Sequence, residues 1–292
     1  MFEYVDPGIL GIRIIGIGSR YEKFFENIAG AAEKIINPEH YKIEFSAAIS
    51  LENNELCDQE ALTRKLVEDN TFLMFLLISP KNPELVEKAA FIAEAGRRAD
   101  SFTIAVMCPG EEYSGSESDK NRAARLARNS WADSCIEITD DCIVTFQDIA
   151  PDLMEKTALT SYLMSTVVLQ ITRAACLPSM TGLDFADIAI ILRGSCGVHM
   201  GIGTAHGDYK AKESVERAIA SLANQGIDIA KSNGLLVILT AAYKCMSMED
   251  YTTVNQLIHE SVDDDCNIKL GIFIDNSLGD NMRVTVFTRI SG

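Results

Sequence analysis

Two aspartates three residues apart, Asp184 and Asp187 in Gly182-Leu-Asp-Phe-Ala-Asp187, are the first candidates for chemistry. Paired carboxylates beside a water and a cation can polarise that water for attack. On spacing alone, two acids at a strand start are more simply read as solvated charges. A second candidate is Gly16-Ile-Gly18, which follows the β-branched run Ile12-Arg-Ile-Ile. Glycines there let backbone N–H groups approach phosphate oxygens without Cβ obstruction, although one G-x-G is a weak sign of any nucleotide. Gly194-Ser-Cys-Gly197 has the outline of a nucleophile turn but no identifiable base or orienting acid. His199 and His206 flank a glycine-rich stretch, where structural roles are expected. Asp263-Asp-Asp265 is too compact for a calcium loop. Lys120 to Arg128 reads as a solvated helix face.

These residues need elements to hold them. Strands are expected at Ile12–Ile17, Lys42–Ser50, Thr71–Ile78, Phe102–Met107 and Ser134–Ile138. Helices are expected between them at Tyr21–Ile36, Asp58–Glu68, Glu84–Arg97 and Lys120–Asn129. Alternation of this kind implies βαβ crossovers and a parallel, doubly wound sheet. Pro151 opens a long apolar-striped helix that Pro178 ends. Beyond it the expected order is strand Asp187–Arg193, glycine-rich stretch Gly194–Gly207, helix Lys210–Ala223 and strand Leu235–Thr240. Helix Met248–Val262 follows, with Met248, Tyr251, Val254, Ile258 and Val262 as its core stripe, then strands Ile268–Ile274 and Met282–Thr288. The fold class is therefore α/β: a first domain over 1–150, a central helix over 151–178, and a smaller mixed-sheet domain over 179–292.

Composition limits the functions open to this chain. Of its 292 residues, 26 are Lys or Arg and 42 are Asp or Glu, a formal charge of −16. Phosphate repulsion then argues against sequence-independent binding to nucleic acid or an anionic membrane surface. The longest uncharged apolar-leaning run, Thr157 to Thr172, is too short for a membrane span. Met-Phe-Glu-Tyr-Val-Asp-Pro-Gly has no export signature, and the eight cysteines form no C-x-x-C pair. A cytoplasmic protein with reduced thiols and no bound metal is expected.

Several stretches together carry a family likeness: Gly182-Leu-Asp-Phe-Ala-Asp187, Met200-Gly-Ile-Gly203, Gly271-Ile-Phe-Ile-Asp-Asn-Ser-Leu-Gly-Asp280 and Arg283-Val-Thr-Val286. In that order, and with Ile12-Arg-Ile-Ile-Gly-Ile-Gly18 as a first strand, they resemble the FtsZ family of the tubulin superfamily. The likeness is continuous from about Pro178 to Ile290. It implies a nucleotide-binding α/β domain, a central helix and a smaller mixed-sheet domain. It also implies a GTP site split between subunits, in which a loop after the central helix presents acids to the neighbour's nucleotide. Asp184 and Asp187 fall on that acidic pair, and Gly182 stands where the family has Asn.

The nucleotide side departs from the family. After Gly18 the chain reads Ser19-Arg-Tyr-Glu22 where further glycines belong, and Ser79-Pro-Lys-Asn-Pro-Glu84 replaces the glycine-rich signature loop. Prolines supply no N–H donor, and Glu84 adds negative charge. By ungapped count the ribose-contacting Glu becomes Tyr113, its nearby Arg becomes Glu117, and the guanine-reading residue becomes Tyr162. Gly16, Gly18, Ser19, Tyr113 and Tyr162 thus form a vestigial nucleotide set, with no cofactor expected. The resemblance implies a pseudo-GTPase that self-associates or joins an authentic FtsZ. A second reading is a divergent GTPase that binds GTP or GDP with Mg through unusual contacts, and a third is a module for another small ligand stacked on Tyr113 and Tyr162. The family continues beyond its globular region into a membrane-partner peptide, whereas this chain stops at Ile290-Ser-Gly292, so no direct membrane insertion is expected.

Overall fold

Thr71–Ile78 carries seven apolar side chains in succession, and such a run is stable as a strand only when both of its faces are covered. In the computed structural model, which describes residues 9–18, 21–36, 38–48, 58–79, 82–108, 131–139, 142 and 156–290, it is the third strand of a parallel sheet. The chain divides into two compact units, Met1–Asp133 and Ser134–Gly292.

In the first unit β1 (Leu10–Ile17), β2 (Tyr41–Ala48), β3 (Thr71–Ile78) and β4 (Phe102–Met107) lie in the order β2-β1-β3-β4, with every pairing parallel. The crossovers are α1 (Tyr21–Glu33), α2 (Gln59–Glu68) and α3 (Pro83–Arg98). Asp58 caps α2 through the N–H groups of Glu60 and Ala61. One charge sits inside this sheet: Arg13 on β1 is 3% exposed and pairs with Glu44, its register partner on β2, and with Asp69 after α2.

The second unit contains β5 (Ser134–Glu137), α4 (Lys156–Cys176), α5 (Phe185–Leu192), β6 (Ser195–Ala205), α6 (Lys210–Asn224), β7 (Ser232–Ala241), α7 (Met248–Glu260), β8 (Asn267–Ile274) and β9 (Met282–Ile290). Its strands run β5-β6-β9-β7-β8. β9 is antiparallel to β6 and β7, while β5–β6 and β7–β8 are parallel. The core packs Val215 and Leu222 of α6 and Val254 and Ile258 of α7 onto Val237, Leu239 and Val286. Among the described residues no helix is long and apolar enough to cross a membrane.

Three expectations are corrected here. Asp187–Arg193 is helix α5 rather than a strand, because Asp184 and Asp187 form a reciprocal capping box that nucleates it. The glycine-rich stretch 194–207 is mostly strand β6, whose Gly201 and Gly203 lie against the backbone of α6. Met248, the first residue of α7, is 74% exposed instead of core. The helix expected at 120–129 lies outside the described residues.

Candidate functional site

The acidic pair is held by a loop pinned along β8. Arg173 in the last turn of α4 bonds the Ile274 carbonyl at 3.2 Å and the Asp275 carboxylate at 2.7 Å. The chain then follows β8 backwards. Ser179 Oγ accepts the Ile272 N–H, the Met180 N–H donates to the Ile272 carbonyl, and Thr181 Oγ1 donates to the Leu270 carbonyl. Leu183 is buried, and Gly271 makes room for it: a Cβ there would stand 2.6 Å from Leu183 Cδ2. Gly182 turns the loop with φ of +78°, a conformation that Asn tolerates among side chains and glycine adopts freely.

At the end of this loop Asp184 Oδ1 accepts the Asp187 N–H at 2.9 Å, and Asp187 Oδ2 accepts the Asp184 N–H at 3.4 Å. Both carboxylates thus take part in starting α5. Asp187 has a further partner that sequence reasoning missed, Lys269 Nζ at 2.7 Å. The hydrogen bond from Lys269 holds the Asp187 carboxyl below the usual carboxylate range, against the opposing effect of partial burial. A carboxylate shared with an ammonium group and a backbone N–H is a weak proton acceptor. Lys269→Ala is expected to return the Asp187 titration towards its ordinary 3.8, as followed by carboxyl-carbon NMR. Stability should change by less than about 1 kcal/mol, since the pair is partly exposed. That contribution is present above the ordinary carboxylate value and fades as pH falls through the lowered one.

Gly16 and Gly18 lie in the first unit at the end of β1. A Cβ on Gly16 would sit 2.3 Å from Tyr21 Cβ and 2.6 Å from Tyr21 Cγ. The glycine therefore makes room for an aromatic residue of its own chain. Tyr21 opens α1 and is 1% exposed, and its hydroxyl lies 3.6 Å from Cys108 Sγ at the end of β4. Gly18, with φ of +125°, faces Tyr21 Cε2 and Leu85 Cδ1, each just under 4 Å from where a Cβ would be. After β3, Asn82 caps α3: its Oδ1 accepts the Glu84 N–H at 3.0 Å, and Pro83 between them has no N–H to offer. Ser19 and Tyr113, with Glu117, lie outside the described residues. Tyr162 lies half-buried on α4 in the second unit.

The remaining candidates have structural settings. His199 is on β6, where burial pushes its imidazole pKa down and Glu137 partly offsets this. Asp263–Asp265 form an exposed turn after α7. Among the described residues four free cysteines are buried, and burial pushes the thiols of Cys142 and Cys176 up to about 12.

The profile of the FtsZ family C-terminal domain matches residues 197–290, the segment from β6 to β9. Cell division protein FtsZ of Buchnera aphidicola subsp. Baizongia pistaciae is 24% identical over 201 residues, 68% of this chain. Cell division protein FtsZ 1 of Archaeoglobus fulgidus is 28% identical over 232 residues, 78% of this chain. An empty FtsZ dimer from M. jannaschii superposes with a TM-score of 0.75 at 17% identity, covering 98% of this chain and 90% of that one. Residues 197–290 thus resemble the FtsZ C-terminal domain, and the chain has an FtsZ-like fold. The matches span 51% and 61% of the length of the two curated relatives. The FtsZ-like fold also superposes on CetZ2 from Haloferax volcanii, solved as a GTPγS-bound protofilament, with a TM-score of 0.66 at 11% identity and coverage of 95% and 92%. The α/β architecture expected from the sequence is the one these structures share.

Proposed function

We propose that this FtsZ-like chain is a cytoskeletal protein of the cell-division type that acts as a pseudo-GTPase, forming or regulating filaments through head-to-tail contacts. One observation carries the reading: the Tyr21 ring is seated against Gly16, at the strand ends where a phosphate-binding loop would need bare backbone. The Asn82 cap and Pro83 support it, since they consume or remove donors at the start of α3. Losing two or three charge-assisted hydrogen bonds, about 1.5–3 kcal/mol each, weakens binding by orders of magnitude. The strand-end residues suit an apolar seal better than a triphosphate with its Mg.

Self-association is supported by the dimer and protofilament in which the two structural relatives were solved. Asp184 and Asp187 would carry the docking face. A molecule with one competent face and no bound GTP to offer on the other would cap a filament, because heterologous contacts grow only when both faces are open.

Two measurements test this. Calorimetry with GTP, GDP and ATP in the presence of Mg is expected to show no saturable binding at micromolar concentrations. A micromolar affinity for GTP would instead favour the divergent GTPase. Sedimentation of an authentic FtsZ is expected to lose polymer when this protein is added. The variant Asp184→Asn, which keeps the helix-capping acceptor, should weaken that effect by removing only charge. An authentic FtsZ whose polymer yield and GTP turnover ignore the protein rules out capping.

A further inference from the structure

We propose that Tyr21 is a built-in plug: it occupies the crevice at the carboxyl ends of β1, β3 and β4, and removing its ring opens a cavity for a phenol-sized aromatic molecule. The inference rests on the pseudo-GTPase reading and deepens it by naming what closes the site. In an open parallel sheet, the crevice outside the carboxyl ends of the strands is where a ligand finds backbone donors. Here those ends are Gly18, Ile78 and Cys108. Side chains at a helix start lean back towards the N-terminus, so Tyr21 on the first residue of α1 points over the strand ends.

Three distances fix its course. The root of the ring fills the space left by the missing Cβ of Gly16. Its Cε2 lies 3.9 Å from where a Gly18 Cβ would be, a place that Leu85 Cδ1 also approaches, at 3.8 Å. Its hydroxyl reaches Cys108, which lies two strands from β1 in the sheet order, so the ring crosses the end of β3. Cys108 is itself anchored there, with its N–H and its thiol both directed at the Ile78 carbonyl, at 3.1 and 3.6 Å. Phe25, also buried, brings its Cζ to 3.0 Å from where a Gly16 Cβ would be. Part of the wall is the backbone of Gly16 and Gly18, which cannot collapse into a void as side chains can. An apolar cavity that keeps its shape takes up an aromatic guest.

The experiment uses the full chain and p-cresol, the tyrosine side chain as a free molecule. The wild-type melting temperature is expected to be indifferent to p-cresol. Tyr21→Ala should melt lower and regain stability saturably as p-cresol is added. A folded Tyr21→Ala with no such response overturns the plug. Should that variant fail to fold, Tyr21→Leu keeps apolar bulk but vacates the hydroxyl's place. Labelling of Cys108 by a thiol reagent, read by peptide mass spectrometry, should then rise at least about tenfold through local opening while Cys176 is unchanged. Labelling that stays at the wild-type level likewise overturns it. GTP binding by the wild type overturns the plug and the pseudo-GTPase reading together. A nucleotide-blind wild type with an unresponsive Tyr21→Ala overturns the plug alone. Gain of GTP binding by Tyr21→Ala supports it.

Discussion

Gly203→Ala is expected to destabilise the second unit by about 3 kcal/mol or more, a large share of the 5–15 kcal/mol by which domains are stable. A Cβ at this position would stand 1.9 Å from the Ser214 carbonyl oxygen and 2.6 Å from the Ala218 nitrogen. Both are backbone atoms of α6, so relief requires the whole helix to lift from β6. Lifting it also disturbs Val215, Ala218 and Leu222, all fully buried in the core beneath. Gly201 has the same relation to α6, with a Cβ 2.3 Å from the Ala218 carbonyl, so Gly201→Ala should behave alike. Gly30→Ala provides the contrast. That glycine is exposed on α1 with nothing near its absent Cβ, and the change should stabilise by about 0.5–1 kcal/mol. Urea denaturation of the three variants, followed by far-UV circular dichroism, checks the signs. A Gly203→Ala midpoint equal to wild type would mean that α6 does not pack as closely as described.

The same residues show what the sequence could and could not disclose. The first-unit strands were legible because a buried parallel strand is apolar on both faces, as in Thr71–Ile78. The run after Asp184 was not, because eight apolar-rich residues fit a buried strand and a buried helix equally well. The deciding signal was Asp184-x-x-Asp187, a capping box with Asp in the place usually given to Glu or Gln. The glycine-rich stretch 194–207 carried no strand pattern of its own, yet Gly201 and Gly203 are spaced by two along a strand and face one helix. At the candidate site the departures from the family were visible one by one, Tyr21 among them, but its role was not. A long-range contact such as Tyr21 with Cys108, 87 residues apart, leaves no local pattern. Lys269 beside Asp187 is hidden for the same reason.

Arg13 belongs to this class of long-range contacts, and its removal is the other large effect expected. A cation 3% exposed in the middle of β1 is tolerable only because Glu44 and Asp69 surround its guanidinium. Arg13→Ala leaves two partly buried carboxylates facing a void and should cost about 3–5 kcal/mol. Glu44→Gln should cost less, since Asp69 still pairs with Arg13 at 3.1 Å. The pH dependence separates this arrangement from mere packing. Burial by itself would raise the Glu44 pKa, but hydrogen bonds from Lys42 and Arg13, and their charges, outweigh it and bring the value from 4.5 down to about 2. A depressed carboxylate contributes stability that is complete above its unfolded value and disappears as pH falls through its folded one. The wild type should therefore lose stability from this group between pH 4.5 and pH 2, by about 1–2 kcal/mol once solvent screening of the partly exposed pair is allowed for. In Arg13→Ala the Glu44 value rises, and the acid-induced loss over that window shrinks. Urea midpoints measured at several pH values for both proteins decide it. Parallel curves, offset but equal in slope, would show that Arg13 acts through its volume and not its charge.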